Sequence, residues 1–515
     1  MIRHGSLARN VLSNWIVLAS NVAFAFVITP VIVRALGAER YGVWSFLNGL
    51  VAYSELLYLG LGSALVKQVA QYRVADDQSG INRLASVVAS IYSTLGFACL
   101  AVLVALSPFV PRMFAEQLSP SAAQGARITC MLLGVRLLMI FIGSVFSGVL
   151  SGYNRYDLAN GVYLFSVVVR FIATPLLLTR GFDPLLTLAW LTTVSVALDL
   201  AVLMFLSLGL VRRLRIRPTI PKRSELQWLY GFGLQSFFIL FAVKLISYTD
   251  TTVIGFTLGA ASVALYALPL QLVEYARLFV GGFAGVFLPK VAFMSAQGDV
   301  DSLRDAYLRS ARIACFLAGW LGGLLIMLGP SFLSRWVGAD FGGPVSHVLL
   351  FLVLAMFGQV LASQVPLAFY QALHLLAAPA VVLMVEAALN LVLSLWLAPW
   401  LGLNGVALAT LIPSVISVIV LPPYLCRRIG VPLKALVASG IAPGAFMFAG
   451  TVATQFVGAY LFPSGSWAAL AARAALSAPI SIAVVGWMFP EEERRVAARL
   501  LRLPSMRRFD SGAVR

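Results

Sequence analysis

Apolar runs of 18 residues or more recur along almost the whole chain, separated by short polar breaks. A run of that length spans the hydrocarbon core of a bilayer as a helix. A closed β-barrel would show short alternating segments instead. The pattern predicts about fourteen spans, at 11–35, 41–66, 84–110, 127–150, 159–179, 185–210, 227–258, 262–289, 311–334, 347–373, 378–400, 403–425, 435–461 and 466–489. The first run is too long for the apolar part of a signal peptide and is not followed by a convincing cleavage site. Pro30, Pro175, Pro269, Pro366 and Pro413 fall inside or near the ends of spans, where proline bends a helix.

The stretch Ile28–Gly62 shows the pattern at its tightest. One apolar run leaves through Arg34-Ala35-Leu36-Gly37-Ala38-Glu39-Arg40-Tyr41-Gly42 and enters the next after only a few polar residues. Glycine at 37 and 42 permits a tight turn between two membrane helices. The stretch also has an echo. Val31-Ile32 and Leu36-Gly37-Ala38 recur as Val253-Ile254 and Leu258-Gly259-Ala260, and Trp44 falls on Tyr266, at an offset of 259 − 37 = 222 residues. An offset of six spans is even, so both copies enter the membrane in the same direction. The expected fold is therefore all-α and integral to the membrane. Two six-helix lobes related by a pseudo-two-fold axis surround a central cavity, with two extra C-terminal helices.

Composition agrees with this. The 515 residues are 60% hydrophobic and 11% charged, which excludes a soluble protein. The net charge of +17 would suggest nucleic acid, except that the basic residues gather in alternate connections. Arg212, Arg213, Arg215, Arg217, Lys222 and Arg223 share one of these, and the C-terminal tail is also rich in arginine. Such alternation marks membrane topology, with basic loops retained in the cytoplasm. Both termini are expected there, and nucleic acid is not expected as a partner. The expected divisions are an N-lobe at 1–210, a basic linker at 211–226, a C-lobe at 227–425, spans 13 and 14 at 435–489, and a basic tail at 490–515. The four cysteines and three histidines are scattered and show no metal or redox spacing.

Ionisable residues within spans carry the functional signal, because charge in lipid is costly without a partner or a water-filled cavity. Arg136, Arg170, Lys244 and Arg277 are candidates for lining a cationic substrate cavity, which suits a phosphate that guanidinium grips in a fork. The alternative is that they are buried ion pairs, above all Glu274 with Arg277 at i,i+3. Glu55, Asp250, Glu274 and Glu386 are candidates for coupling to an ion gradient, and Asp199 is a further carboxylate inside a span. Arg473, about two turns inside its helix, is near enough to the helix end for snorkelling to the interface. No Walker motif, paired catalytic carboxylates or zinc motif is present, so neither a cofactor, a metal site nor catalytic residues are expected.

Several stretches resemble the Wzx-type oligosaccharide flippases of the multidrug/oligosaccharidyl-lipid/polysaccharide superfamily. They are Ala8–Trp15, Thr29-Pro30, Arg34–Gly37, Tyr41-Gly42 with Trp44, Leu59-Gly60-Leu61 and Gly148–Gly152. They continue with Tyr248-Thr249-Asp250, Leu265–Pro269, Leu288-Pro289, Glu386, Asn390 and Leu401–Ala407. Tyr58 departs from the pattern, since many relatives have Asp there. The resemblance implies a multi-pass protein of the bacterial inner membrane. It implies that an undecaprenyl-diphosphate-linked oligosaccharide is moved from the cytoplasmic to the periplasmic leaflet, by alternating access coupled to an ion gradient. A polysaccharide polymerase and a chain-length regulator are the implied partners. Spans 13 and 14 resemble the extra pair of the lipid II flippase branch. The alternatives within transporters are a lipid II flippase and a drug antiporter. From another class, the alternative is a membrane polymerase or acyltransferase, which commonly needs a larger external loop than any present here.

Overall fold

A computed structural model describes residues 4–58, 61–115, 117–211, 213–223, 234–285, 288–343, 345–463, 466–491 and 493–494. The side chain of Glu55 and the tail beyond 494 lie outside the described residues. Every regular element among the described residues is helical. Twelve of these helices are long and apolar enough to cross a membrane. Two of the twelve are double: His4–Ala52 is broken at Gly37, and Ala377–Ile429 at Gly402. Counting their halves separately gives the fourteen spans read from the sequence. Both breaks use a positive φ, 70° at Gly37 and 58° at Gly402, which glycine adopts without the Cβ penalty of other residues.

The helices are labelled in order. In the first half they are α1 (His4–Ala52), α2 (Leu61–Val74), α3 (Gln78–Leu106), α4 (Phe109–Met113), α5 (Pro120–Gly152), α6 (Tyr156–Leu178) and α7 (Pro184–Leu210). Then come α8 (Leu234–Thr257), α9 (Ala260–Gly285), α10 (Leu288–Gln297), α11 (Val300–Trp336), α12 (Ser346–Gln359), α13 (Leu367–Ala372), α14 (Ala377–Ile429), α15 (Ala442–Leu461), α16 (Trp467–Ala475) and α17 (Ser477–Met488). A 3₁₀ segment, Tyr53–Tyr58, extends α1. π turns at Val360–Gln364 and Leu436–Ile441 interrupt two further spans. Pro30, Pro175 and Pro269 sit inside helices as expected. Pro366 does not bend a continuous helix. It follows the first π turn and caps the short α13.

Contacts gather the chain into two compact units, Met1–Ala267 with Ala387–Val406, and Leu268–Glu386 with Ala407–Arg515. The seventh span is thus grouped with the first six. The lobes expected from the repeat are a division by internal similarity rather than by contact. In the first unit α5 packs against both α3 and α7, and α1 packs against α6 and α8. Tyr92, Phe141, Leu61, Leu65 and Val149 fill the core between α2, α3 and α5. In the second unit α11 packs along α15, where a Cβ on Gly319 would stand 2.2 Å from the Gly444 carbonyl oxygen. Backbones approach this closely only where no side chain intervenes, a common solution between membrane helices.

The 222-residue offset returns in the turns. Gly37 and Gly259 both have positive φ, and so do Asp76 and Gly298. Asp77 and Asp299 each cap the following helix, accepting from the amides of Gly80 and Ser302. Hydrogen bonds from the Ser79 and Ser302 hydroxyls, reinforced by these amides, hold both carboxyls below their ordinary range.

After α7 the basic segment 213–220 runs extended along the first half of α3. The amides of Arg215, Arg217 and Thr219 donate to Asn82 Oδ1, Ser86 Oγ and Ser90 Oγ at 3.1, 3.1 and 3.0 Å. The registers match. Two strand residues advance about 6.6 Å and four helix residues about 6 Å. Leu214 is buried and Ile216 packs on the core, whereas Arg213, Arg215 and Arg217 are exposed.

Candidate functional site

Three polar groups inside spans define the candidate site in the first unit. In the first, Arg136 on α5 and Arg170 on α6 lie close enough to repel one another. Arg136 donates a long bond of 3.4 Å to Asn48 Oδ1 on α1. Arg170 donates to the Ser166 carbonyl at 3.3 Å, stands 5.9 Å from the Phe24 ring centre, and is attracted by Asp199 on α7. Both guanidiniums are half-buried. Two cations with one carboxylate leave an excess of positive charge. In the second, Lys244 on α8 stands 5.4 Å from the Tyr248 ring centre, one turn along its own helix.

The third group is buried. Asp250 on α8 is 1% exposed. Its Oδ2 accepts the Tyr266 hydroxyl at 2.5 Å, and its Oδ1 accepts Asn390 Nδ2 at 3.2 Å. Asp250, Tyr266 and Asn390 come from three helices, and all three belong to the stretches that carry the sequence resemblance. A carboxylate in lipid needs donors of this kind.

In the second unit Arg277 on α9 is engaged on two sides. Its Nε and Nη2 donate to Glu274 Oε2 at 3.1 and 2.5 Å, and its Nη1 donates to Gln359 Oε1 at 2.9 Å. The pair foreseen as the structural alternative is therefore present. Its members keep 17% and 31% side-chain exposure, so the pair is not sealed from its surroundings. Gln359 is the residue immediately before the first π turn. Glu386 on α14 is buried and accepts the Ser417 hydroxyl.

Arg473 does not reach an interface. Its side chain is buried, Nη2 donates to the Gln455 carbonyl at 3.4 Å, and Gln455 Nε2 donates back to the Arg473 carbonyl at 2.8 Å. Gly458 leaves the room that this side chain occupies, lying 3.2 Å from its Cγ at the position of an added Cβ. Snorkelling loses because an inward hydrogen-bonding partner is within reach.

The turns of the repeat meet directly. A Cβ on Gly42 would lie 1.7 Å from the Ala260 carbonyl oxygen, so α1 just past its break abuts the start of α9. Gln117, in the connection after α4, accepts the Ala260 amide at 2.6 Å and caps that start. Close by along α1, Tyr53 and Thr252 hydroxyls are 3.4 Å apart. Asn48 and Gln359 had no signal of their own in the sequence beyond being polar within apolar runs, Gln117 lay in a connection, and Tyr266 stood out only as the counterpart of Trp44 and within a stretch that carries the resemblance. Among the described residues, no group of three His, Cys, Asp or Glu could hold a metal ion.

A bundle of broken, apolar helices with ionisable residues inside its spans defines a multi-pass membrane protein. The comparisons with known proteins agree. The family model for the lipid II flippase MurJ matches residues 59–501, and the chain belongs to that family. The chain is 24% identical over 485 residues to an uncharacterized membrane protein of Bacillus subtilis (strain 168), EpsK, with 92% of this chain and 94% of that one covered. An inward-facing multidrug resistance MATE family transporter shares the fold at a TM-score of 0.68, with 18% identity, 82% of this chain and 98% of that one covered. Lipid II flippase MurJ in an inward closed conformation does so at 0.66, with 15% identity, 96% of this chain and 99% of that one covered.

Proposed function

We propose that the protein flips an undecaprenyl-diphosphate-linked oligosaccharide from the cytoplasmic to the periplasmic leaflet of the bacterial inner membrane. The observation that carries this reading is the crowding of Arg136 and Arg170. Two half-buried guanidiniums in neighbouring spans, with Asp199 as a nearby carboxylate, leave an excess of positive charge that an anion from outside the chain would balance. A diphosphate headgroup supplies it, and an organic cation does not, which sets aside a drug antiporter. In this reading the lobes at 1–210 and 227–425 rock about the site, with Lys244 and Arg277 as further headgroup contacts. Asp250 and Glu386 couple the motion to an ion gradient, since each is a buried carboxylate that accepts hydrogen bonds from neutral side chains. Glu274 acts through Arg277. Glu55 enters on its sequence position alone. A polysaccharide polymerase and chain-length regulator are the proposed partners.

The second reading is lipid II as substrate, favoured by the family match. Lipid II carries the same diphosphate carrier, so the cationic group serves both. Depletion of the protein separates them. The expected result is accumulation of lipid-linked oligosaccharide on the cytoplasmic leaflet, with lipid II unaffected. Accumulation of lipid II instead would transfer the assignment, and accumulation of neither would defeat both.

The proposed orientation has its own test. Single cysteines at 213–223 are expected to resist a membrane-impermeant thiol reagent in intact cells, and a cysteine replacing Glu39 to react, with the four native cysteines removed. Labelling at 213–223 from outside would overturn the orientation.

A further inference from the structure

We infer that the segment 213–220 is a preformed docking edge for anionic phospholipid headgroups of the leaflet it faces. Most basic loops of membrane proteins are retained on one side by charge alone and need no fixed shape. This one has a shape. Three backbone amides are held by Asn82, Ser86 and Ser90, spaced one helical turn apart on α3. Arg83 on the same helix adds a bond to Thr219 Oγ1 at 2.6 Å. Leu214 and Ile216 are tucked inward, so period-two alternation turns Arg213, Arg215 and Arg217 outward as a row. The guanidiniums are thus spaced along one line without holding the strand in place themselves. The work of fixing it falls to Asn82, Ser86, Ser90 and Arg83, all on α3.

The row also has a direction. It descends from Asn82 to Ser90, from near the start of a membrane-spanning helix toward its middle. At its lower end stands Ile220, 89% exposed and flanked by Pro218 and Pro221, which stiffen the segment. An apolar tip below a ladder of arginines matches a lipid surface, with acyl chains beneath and phosphates above. A soluble acidic protein would match the arginines but leave the isoleucine unexplained. Guanidinium also suits phosphate better than an ammonium does, because it offers a planar fork.

The test uses the purified full-length chain with equimolar phosphatidylglycerol and phosphatidylcholine, and native mass spectrometry of the lipids retained. Wild type is expected to retain phosphatidylglycerol in preference. The triple change Arg213→Gln, Arg215→Gln and Arg217→Gln is expected to lower that preference at least about tenfold, with each arginine near a charged surface worth roughly a fivefold change. Ser86→Ala with Ser90→Ala keeps every charge but releases the strand, and is expected to lower the preference in the same direction. Arg427→Gln with Arg428→Gln, in the last turn of α14, is expected to leave it unchanged. An unaltered preference in the triple variant would overturn the inference. So would an equal fall in the Arg427 and Arg428 variant, which would make charge count the cause, or full retention in the serine variant, which would make the fixed shape irrelevant. Displacement of the lipid by excess inorganic phosphate would point to a soluble anion and overturn it as well.

Discussion

Arg277→Gln is expected to leave the protein inserted and expressed while abolishing lipid flipping, and adding Glu274→Gln is expected not to restore it. The geometry makes this a sharp comparison. Arg277 is tied to Glu274 through two nitrogens and to Gln359 through a third. Removing one partner of a buried pair costs about 3–5 kcal/mol, whereas removing both is often near neutral. The residual exposure of both side chains places this pair toward the lower end of that range. If Arg277 only balances Glu274, the double variant recovers transport at normal protein levels. If it meets the diphosphate headgroup, the double variant stays inactive, because a neutral amide lacks the charge and the fork. Lipid-linked oligosaccharide in the cytoplasmic leaflet is the readout. Gln359→Leu sharpens the comparison. It removes a neutral partner at the π turn and is expected to cost far less activity than loss of the arginine.

The second large effect is expected at Gly42. Gly42→Ala should slow flipping at least about fivefold without loss of protein. The added methyl would have to occupy the position of the Ala260 carbonyl oxygen, 1.7 Å away, and backbone cannot yield as a side-chain tip can. Overpacking of this kind costs about 1–3 kcal/mol, which shifts a two-state population by roughly fivefold to more than a hundredfold. The arrangement in which the two turns touch is therefore depopulated. The opposite perturbation gives a paired test. Cysteines placed beside Gly37 and Gly259 and joined by a short cross-linker hold the turns together, and transport is expected to stop. Full transport with the cross-link formed would show that the turns need not part during the cycle, and normal rates in Gly42→Ala would show that they need not meet.

Much of this was legible in the sequence, for identifiable reasons. Span number follows from run length, and the double helices broken at Gly37 and Gly402 follow from glycine in a short polar gap. Charges were legible as well, since an arginine such as Arg136 stands out in any apolar run. Their partners were not. Asn390 lies 140 residues from Asp250, and Gln359 lies 82 from Arg277. A neutral amide in a span has many uses, and only the folded topology selects one. Arg473 shows the same limit. Its distance from the helix end was visible, but Gln455 on the preceding span was not visible as a competitor for its guanidinium. The π turns have no signature here, because the one-residue shift in facing that each causes is invisible in a run that is apolar on nearly every side.

The paired turns speak to ancestry. At 76 the chain holds an aspartate in the left-handed region, and at 298 a glycine does the same task with less strain. The aspartates that follow cap their helices alike. A backbone shape shared by two halves that retain few identical residues is what a duplicated gene leaves behind once its copies have diverged. On that account the first copy carries Arg136 and Arg170 beside Asp199, and the second carries Arg277 paired with its own Glu274, so the charged residues of the two copies have diverged further than their turns.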